Sequence, residues 1–157
     1  MEKLWKSSLP RWLGLGLILF GIAFSTSGMA NSDRQNNEIP TLIEQARDAW
    51  MTRDADAFAQ LFALNGELIV PGRRWQGRAK IREEFSRFTQ QYSQVQIDIR
   101  GIIVDGNQAA VEWHYEDTEK ATGKRHRADD AIIVDFREGK ITRWREYFDT
   151  KTPVNKS

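Results

Sequence analysis

Whatever chemistry this sequence offers rests on Asp130 and Glu146, with Tyr115 and His126 expected nearby. The two acids occupy inward positions of alternating segments, Asp130-x-Ile132-x-Val134-x-Phe136 and Thr142-x-Trp144-x-Glu146-x-Phe148. A three-residue loop Arg137-Glu138-Gly139, with glycine in the left-handed position of a type I turn plus bulge, pairs Phe136 with Lys140. Val134 then meets Thr142, Ile132 meets Trp144 and Asp130 meets Glu146. Two carboxyls so close on an aromatic surface cannot both ionise cheaply. One holds a proton and serves as general acid while its neighbour serves as base. The competing reading keeps Glu146 at a solvated mouth, paired with Arg78 or Arg127, and leaves Asp130 to cap or pair locally, because structural ion pairs also perturb acids.

A second group is aromatic. Trp50, Phe62, Trp75, Trp113, Tyr115, Trp144 and Phe148, with Ile132 between the strands, are the expected lining of a pocket for a flat apolar or aromatic small molecule. Much of this set is needed for the core, where each large side chain contributes roughly 1.5 to 3 kcal/mol on burial. Four tryptophans and a tyrosine, however, bring polar tips that must find partners. Trp75, beside Arg73 and Arg74 in an expected loop, reads as a lid or as an exposed surface residue.

Other chemistries are excluded by residue type. With no cysteine there is no disulfide scaffold, Cys-ligated zinc or thiol nucleophile. Two histidines, His114 and His126, show no metal-ligand spacing, so no metal and no cofactor are expected. A phosphate-cradling glycine loop and a Gly-x-Ser-x-Gly elbow are also missing.

The elements that must position these residues can be read from periodicity. The chain has 157 residues, 40% hydrophobic and 29% charged, which suits one domain. Lys3, Lys6 and Arg11, the apolar run Trp12 to Phe24 and the small residues ending at Ala30 form an export signal over 1–30, cleaved after Ala30. The alternative is an uncleaved N-terminal membrane anchor, although the run is shorter than the ~20 residues a span needs. Removal of 1–30 leaves 20 basic and 21 acidic residues, net −1. That balance has no field to hold nucleic acid, and Arg73-Arg74 and Lys124-Arg125-His126-Arg127 read as solvated loop tips. Residues 31–38 read as a polar spacer.

From Ile39 three amphipathic helices are expected. The first carries Ile43, Ala46, Ala49 and Trp50 after Pro40 in its first turn; the second, capped by Asp54, carries Ala57, Phe58, Leu61 and Phe62. The third shows Ile81, Phe85, Phe88 and Tyr92 on one face, with Arg78, Arg82, Glu83 and Glu84 turned away. Leu68-Ile69-Val70 is a short strand between the second and third helices, ended by Pro71-Gly72. Beyond Tyr92 the period becomes two. An Asp105-Gly106 hairpin pairs Val104 with Asn107, and a bulge at Gly101 puts Val95, Ile97 and Ile99 on the face of Val111, Trp113 and Tyr115. Glu112, His114 and Glu116 then point outward. The pairing across 118–124 stays open.

This order resembles the nuclear transport factor 2-like superfamily, in its SnoaL-like or ketosteroid-isomerase-like branch. The resemblance covers Ile39 to about Thr150. It is carried by Asp54-Ala-Asp-Ala-Phe-Ala-Gln-Leu-Phe62, Pro71 with Gly77-Arg78, Ile81-Arg82-x-x-Phe85, Gly139-Lys-Ile141 and Arg145-Glu-Tyr-Phe-Asp149. Residues 151–157 read as a disordered tail, and over 39–150 the resemblance implies an α+β cone: three N-terminal helices packed in the concave face of a strongly curved antiparallel sheet around an apolar cavity. It also implies a homodimer through the sheet's outer face. It does not import the steroid isomerase groups. The base before Pro71 is Val70, the oxyanion tyrosine falls at Ala46 and the second oxyanion acid falls near Ile132.

Three function classes follow. One is an exported domain that binds a small apolar molecule. Another is an isomerase, dehydratase, cyclase or epoxide hydrolase type of proton-transfer enzyme using Asp130 and Glu146. The last is a dimeric module with a filled cone, its outer face presenting Glu112, His114, Glu116 and Arg143. An open cavity with a strongly raised acid pKa favours the enzyme; exposed acids favour the binder; closed packing around Trp113 and Trp144 favours the module.

Overall fold

The computed structural model describes residues 27–148, with side chains from residue 38 onward. The expected signal up to residue 26 and the expected tail at 151–157 lie outside the described residues. Helices α1 (Ser27–Thr52) and α2 (Ala55–Gln60) lead into strands β1 (Phe62–Val70) and β2 (Arg73–Gln76), followed by helix α3 (Arg78–Gln91). Strands β3 (Tyr92–Asp105), β4 (Gln108–Glu119), β5 (Arg125–Arg137) and β6 (Lys140–Tyr147) complete the fold. Among these residues no helix is long and apolar enough to cross a membrane.

The helices answer to local chemistry. Asp54 accepts the Ala57 N–H at 2.9 Å and starts α2, as its residue type predicts. Ile39, Ile43, Ala46 and Ala49 of α1 are buried, one stripe on the sheet-facing side. Two corrections concern α1: it takes in the stretch read as a spacer, and Pro40 lies in its interior rather than in its first turn. A proline removes one backbone hydrogen bond, and the turns on either side carry the helix past it. In α3, Arg78 does not face away. Its guanidinium donates to the Phe62 carbonyl at 2.9 and 2.6 Å and ties the helix start to β1.

The fold is α+β, with the helices against one six-stranded sheet in the order β2-β1-β6-β5-β4-β3. The sheet is mixed rather than wholly antiparallel, because β1 runs parallel to β6, with Leu68 beside Trp144. It does not close. Arg73–Gln76 is a strand and not the expected loop. Pro71-Gly72 makes a two-residue turn, so the chain folds straight back and Trp75 pairs with Leu68.

Both long hairpins keep their expected faces but not their expected registers. In the first, Gly106 at φ 56° and Asn107 form the loop, so Asp105 pairs with Gln108 and Val104 with Ala109. The shift is two residues and preserves the face. Arg100, rather than Gly101, is then the extra residue of a bulge, between Ile99 and Gly101; it sets Ile99 opposite Trp113, on the expected face but two residues beyond the expected partner Val111. In the last hairpin the loop is Glu138-Gly139, both at positive φ (52° and 69°), which is a two-residue type I′ turn pairing Arg137 with Lys140. A second bulge at Thr142 turns Ile141 inward in place of Thr142 and brings Trp144 opposite Val134. Each bulge increases the local twist and bends the sheet over the helices.

The core lies between α1, α2, α3 and the concave face. Phe58 stacks on Phe85 at 4.7 Å and meets Trp144 edge-on at 5.9 Å, while Trp113 and Trp144 lie 5.4 Å apart on the same side.

Candidate functional site

Beside this core the concave face leaves an open cavity of about 490 Å³. Its largest apolar wall is an aromatic cluster from three elements, Trp50 of α1, Phe85 and Phe88 of α3, and Trp113 and Tyr115 of β4, with Leu68 and Val70 of β1 beside it. Trp50 is the hinge of this cluster, edge-on to all four others at centroid distances of 4.7 to 6.5 Å. Its buried indole N–H has no partner among the described residues. Trp75 on β2 and Phe148 after β6 complete the aromatic rim.

Two buried carboxyls enter from neighbouring strands. Asp130 is 6% exposed and Glu146 is 8% exposed, and both line the cavity. Each is held by an indole: Trp113 Nε1 donates to Asp130 Oδ2 at 3.0 Å, and Trp144 Nε1 donates to Glu146 Oε1 at 2.8 Å. Asp130 does not stand opposite Glu146 as expected. Glu146 pairs with Ile132, and Asp130 pairs with Trp113 on the other side of β5. The acids are therefore diagonal neighbours, with backbones roughly 7–8 Å apart. The type I′ turn and the Thr142 bulge cause the difference. Glu138 at positive φ is an uncommon choice that its side chain does not signal.

Burial still dominates their titration. Removal from water pushes Glu146 up to about 8, partly opposed by the Trp144 indole and reinforced by the charge of Asp130. Burial also raises Asp130, against the Trp113 indole that steadies its charged form. Asp130 Oδ1 is buried without a hydrogen-bond partner among the described residues, so one lone pair is free. Neither arginine of the competing reading reaches Glu146: Arg78 is spent on Phe62, and Arg127 lies 3.2 Å from Glu116.

A second polar cluster was not anticipated as a unit. Tyr115 donates its O–H to Asp117 Oδ2 at 2.7 Å, and His126 Nδ1 lies 2.8 Å from Asp117 Oδ1. Asp117 is 3% exposed. Burial, and then the adjacent Asp117, raise the Tyr115 phenol well above its ordinary range, so the hydroxyl keeps its proton. The alternation Trp113-x-Tyr115-x-Asp117 was legible, but the partner strand was not, because the register across 118–124 was open. Arg125 to Arg127 belong to β5 rather than to a loop tip; His126 lines the cavity, while Arg125 and Arg127 pair with Glu116.

Of the eight residues expected to line the pocket, Trp50, Trp75, Trp113, Tyr115 and Phe148 do so. Phe62, Ile132 and Trp144 do not; they are fully buried core. Phe85 and Phe88, expected only on a packing face, and Glu84, expected to turn away, all line the cavity. The positions that would hold steroid isomerase groups are apolar: Ala46 and Ile132 are buried, and Val70 lines the cavity.

The fold recurs widely among solved structures. A Catenulispora acidiphila DSM 44928 protein of ketosteroid isomerase-like fold, in complex with trimethylamine, is 21% identical with TM-score 0.67, over 71% of this chain and 87% of that one. An LEH-like epoxide hydrolase from M. tuberculosis is 20% identical with TM-score 0.65, over 72% and 84%. A Jannaschia sp. CCS1 protein provisionally designated a SnoaL-like polyketide cyclase is 12% identical with TM-score 0.64, over 74% and 86%. These likenesses concern the fold. No curated protein matches the sequence. The model of the SnoaL-like domain matches residues 43–144, including the helices and the strands that carry Asp130 and Trp144, and the chain belongs to that family.

Proposed function

We propose that this protein is a general acid–base catalyst acting on a small, flat, largely apolar molecule held in the conical pocket. The observation that carries the reading is Glu146, a buried acid on the wall of an open cavity, pushed up to about 8 and so protonated at neutral pH. A protonated carboxyl donates to a carbonyl, hydroxyl or ether oxygen as charge develops there. Asp130, with its unused Oδ1, takes the proton that leaves the substrate. The reaction class is proton transfer beside a polarised oxygen, as in isomerisation, dehydration, cyclisation or epoxide opening. Both acids are buried, which separates this from a pure binding role, and the cavity is open, which separates it from a filled interaction module. That the same fold serves an epoxide hydrolase is support by analogy alone.

Deuterium exchange at the α-carbon of 2-tetralone, followed by NMR in D2O, tests the reading. Wild-type protein is expected to accelerate exchange, and Asp130→Asn and Glu146→Gln each to slow it by about 10²- to 10⁴-fold. Exchange that both variants support at the wild-type rate would overturn the assignment.

The proposal includes export and self-association. Export is supported by the basic start, apolar run and small-residue end of 1–30. Dimerisation through the outer face is supported by Ile103 and Tyr147, 73% and 47% exposed, on outward positions of β3 and β6. They lie on the same face as two ion pairs within the chain, His114 with Asp129 at 2.7 Å and Arg143 with Asp135 at 2.8 Å. Native mass spectrometry of the exported protein is expected to show a dimer beginning at Asn31. A monomer beginning at Met1 would refute both parts.

A further inference from the structure

We propose that Tyr115, Asp117 and His126 form a second polar station of the pocket, presenting the bare Nε2 of His126 as acceptor to a hydroxyl on the far end of a flat, fused-ring ligand. The inference rests on the acid–base reading of the pocket and extends it to the substrate's shape and second functional group.

Asp117 sits on β4 directly across from His126 on β5. A carboxylate can only accept, so in the neutral imidazole the ring proton of His126 lies on Nδ1, facing Asp117, and Nε2 carries the lone pair. The other carboxylate oxygen is taken by the Tyr115 hydroxyl, which fixes the carboxylate plane. Tyr92 packs edge-on to the imidazole at 5.9 Å and fixes the ring. Nε2 itself has no partner among the described residues, and His126 belongs to the cavity wall. A buried carboxylate that orients an imidazole and sets its tautomer is a positioning device, and surface packing gains nothing from it. Arg73, Arg127 and Glu84 are the other charged groups on the cavity wall outside the acid pair.

Distance supplies the ligand class. His126 and Asp130 are four residues apart on the same face of β5, with Ala128 between them, so their backbones are separated by about 13 Å. The small Ala128 leaves the space between the stations open, and Tyr115 pairs with it across the sheet. A single ring reaches one station. Two fused rings with an oxygen at each end reach both, the near oxygen at Glu146 and Asp130 and the far hydroxyl donating to His126 Nε2, with Trp50 and Trp113 against the ring faces.

The test combines ¹⁵N NMR of the imidazoles with calorimetry, using 2,6-dihydroxynaphthalene and naphthalene as probes. At pH 8.5 His126 is expected as the Nδ1–H tautomer. Asp117→Asn is expected to flip it to Nε2–H, because the amide keeps its oxygen for Tyr115 and turns its NH₂ to the ring. Wild type is expected to prefer the diol to naphthalene by tenfold or more. His126→Phe, a partly exposed ring replacement that deletes the acceptor, should remove most of that preference and leave naphthalene affinity unchanged. Asp117→Asn is read by its tautomer alone, since an Nε2–H still donates to a hydroxyl oxygen. A wild-type His126 carrying Nε2–H, or a diol preference intact in His126→Phe, overturns the station. If that intact preference is lost in Glu146→Gln, the acid–base reading stands while this one falls. If neither probe binds wild type, both fall.

Discussion

Glu146→Gln is expected to stabilise the protein at alkaline pH and to leave its stability nearly unchanged in acid. Glu146 titrates near its ordinary 4.5 in the unfolded chain and at about 8 when folded, with burial as the main cause. A raised carboxyl contributes stability that is fully present below pH 4.5 and is lost as pH climbs to 8. Each unit of separation is worth about 1.4 kcal/mol, so roughly 4 to 5 kcal/mol is at stake across that window, as an upper bound. Glutamine keeps the side-chain volume and the acceptor for the Trp144 indole but has no charge to desolvate. Urea unfolding at pH 4.5 and pH 9 measures the difference. Parallel stability curves for the two proteins would show that Glu146 is not the buried neutral acid on which the proposed chemistry depends. The same substitution removes the transferable proton, so stability at high pH and turnover should move in opposite directions.

Trp144→Ala should cause the largest loss of stability, about 3 to 5 kcal/mol, because the indole is fully buried against Phe58 and Trp113. Trp144→Phe separates packing from hydrogen bonding. It keeps most of the ring but deletes the 2.8 Å N–H donor that favours charged Glu146. The acid should then titrate higher than in wild type, so the loss of stability that begins near pH 4.5 continues to higher pH. An unmoved pH profile in Trp144→Phe would mean that the indole does not hold the carboxylate. Although Trp144 does not touch the cavity, the loss should therefore reach the site through Glu146.

How much of this was legible in the chain depends on the kind of signal. Periodicity identified the buried stripe of α1, Phe58 of α2, Ile81 and Phe85 of α3 and the inner faces of β3 to β6, because burial selects residue type at every second or every third and fourth position; it misplaced Ala57, which is exposed, and Phe62 and Tyr92, which open β1 and β3 instead of extending the helices. Asp54 announced α2 through its cap, and Pro71-Gly72 announced a turn. The pairing of strands was harder. A hairpin register hangs on one or two loop residues, and Glu138 adopts a left-handed conformation that an asparagine would have advertised. Because the resulting shifts were even, or were made even by a bulge, Trp144 and Glu146 stayed on the inner face while their neighbours changed.

Residue types alone therefore settled the family, the amphipathic elements and the pair of inward acids, since these depend on local preference and on which side of a strand a residue lies. Only the folded arrangement decided that Asp130 lies diagonal to Glu146, that each carboxyl is gripped by an indole, that Phe62, Ile132 and Trp144 are packed away, and that Asp117 joins Tyr115 to His126. Those facts depend on contacts between residues distant in the chain, whose geometry is set by bulges and turns. A one-residue change in a loop costs little locally and moves every partner along the strand.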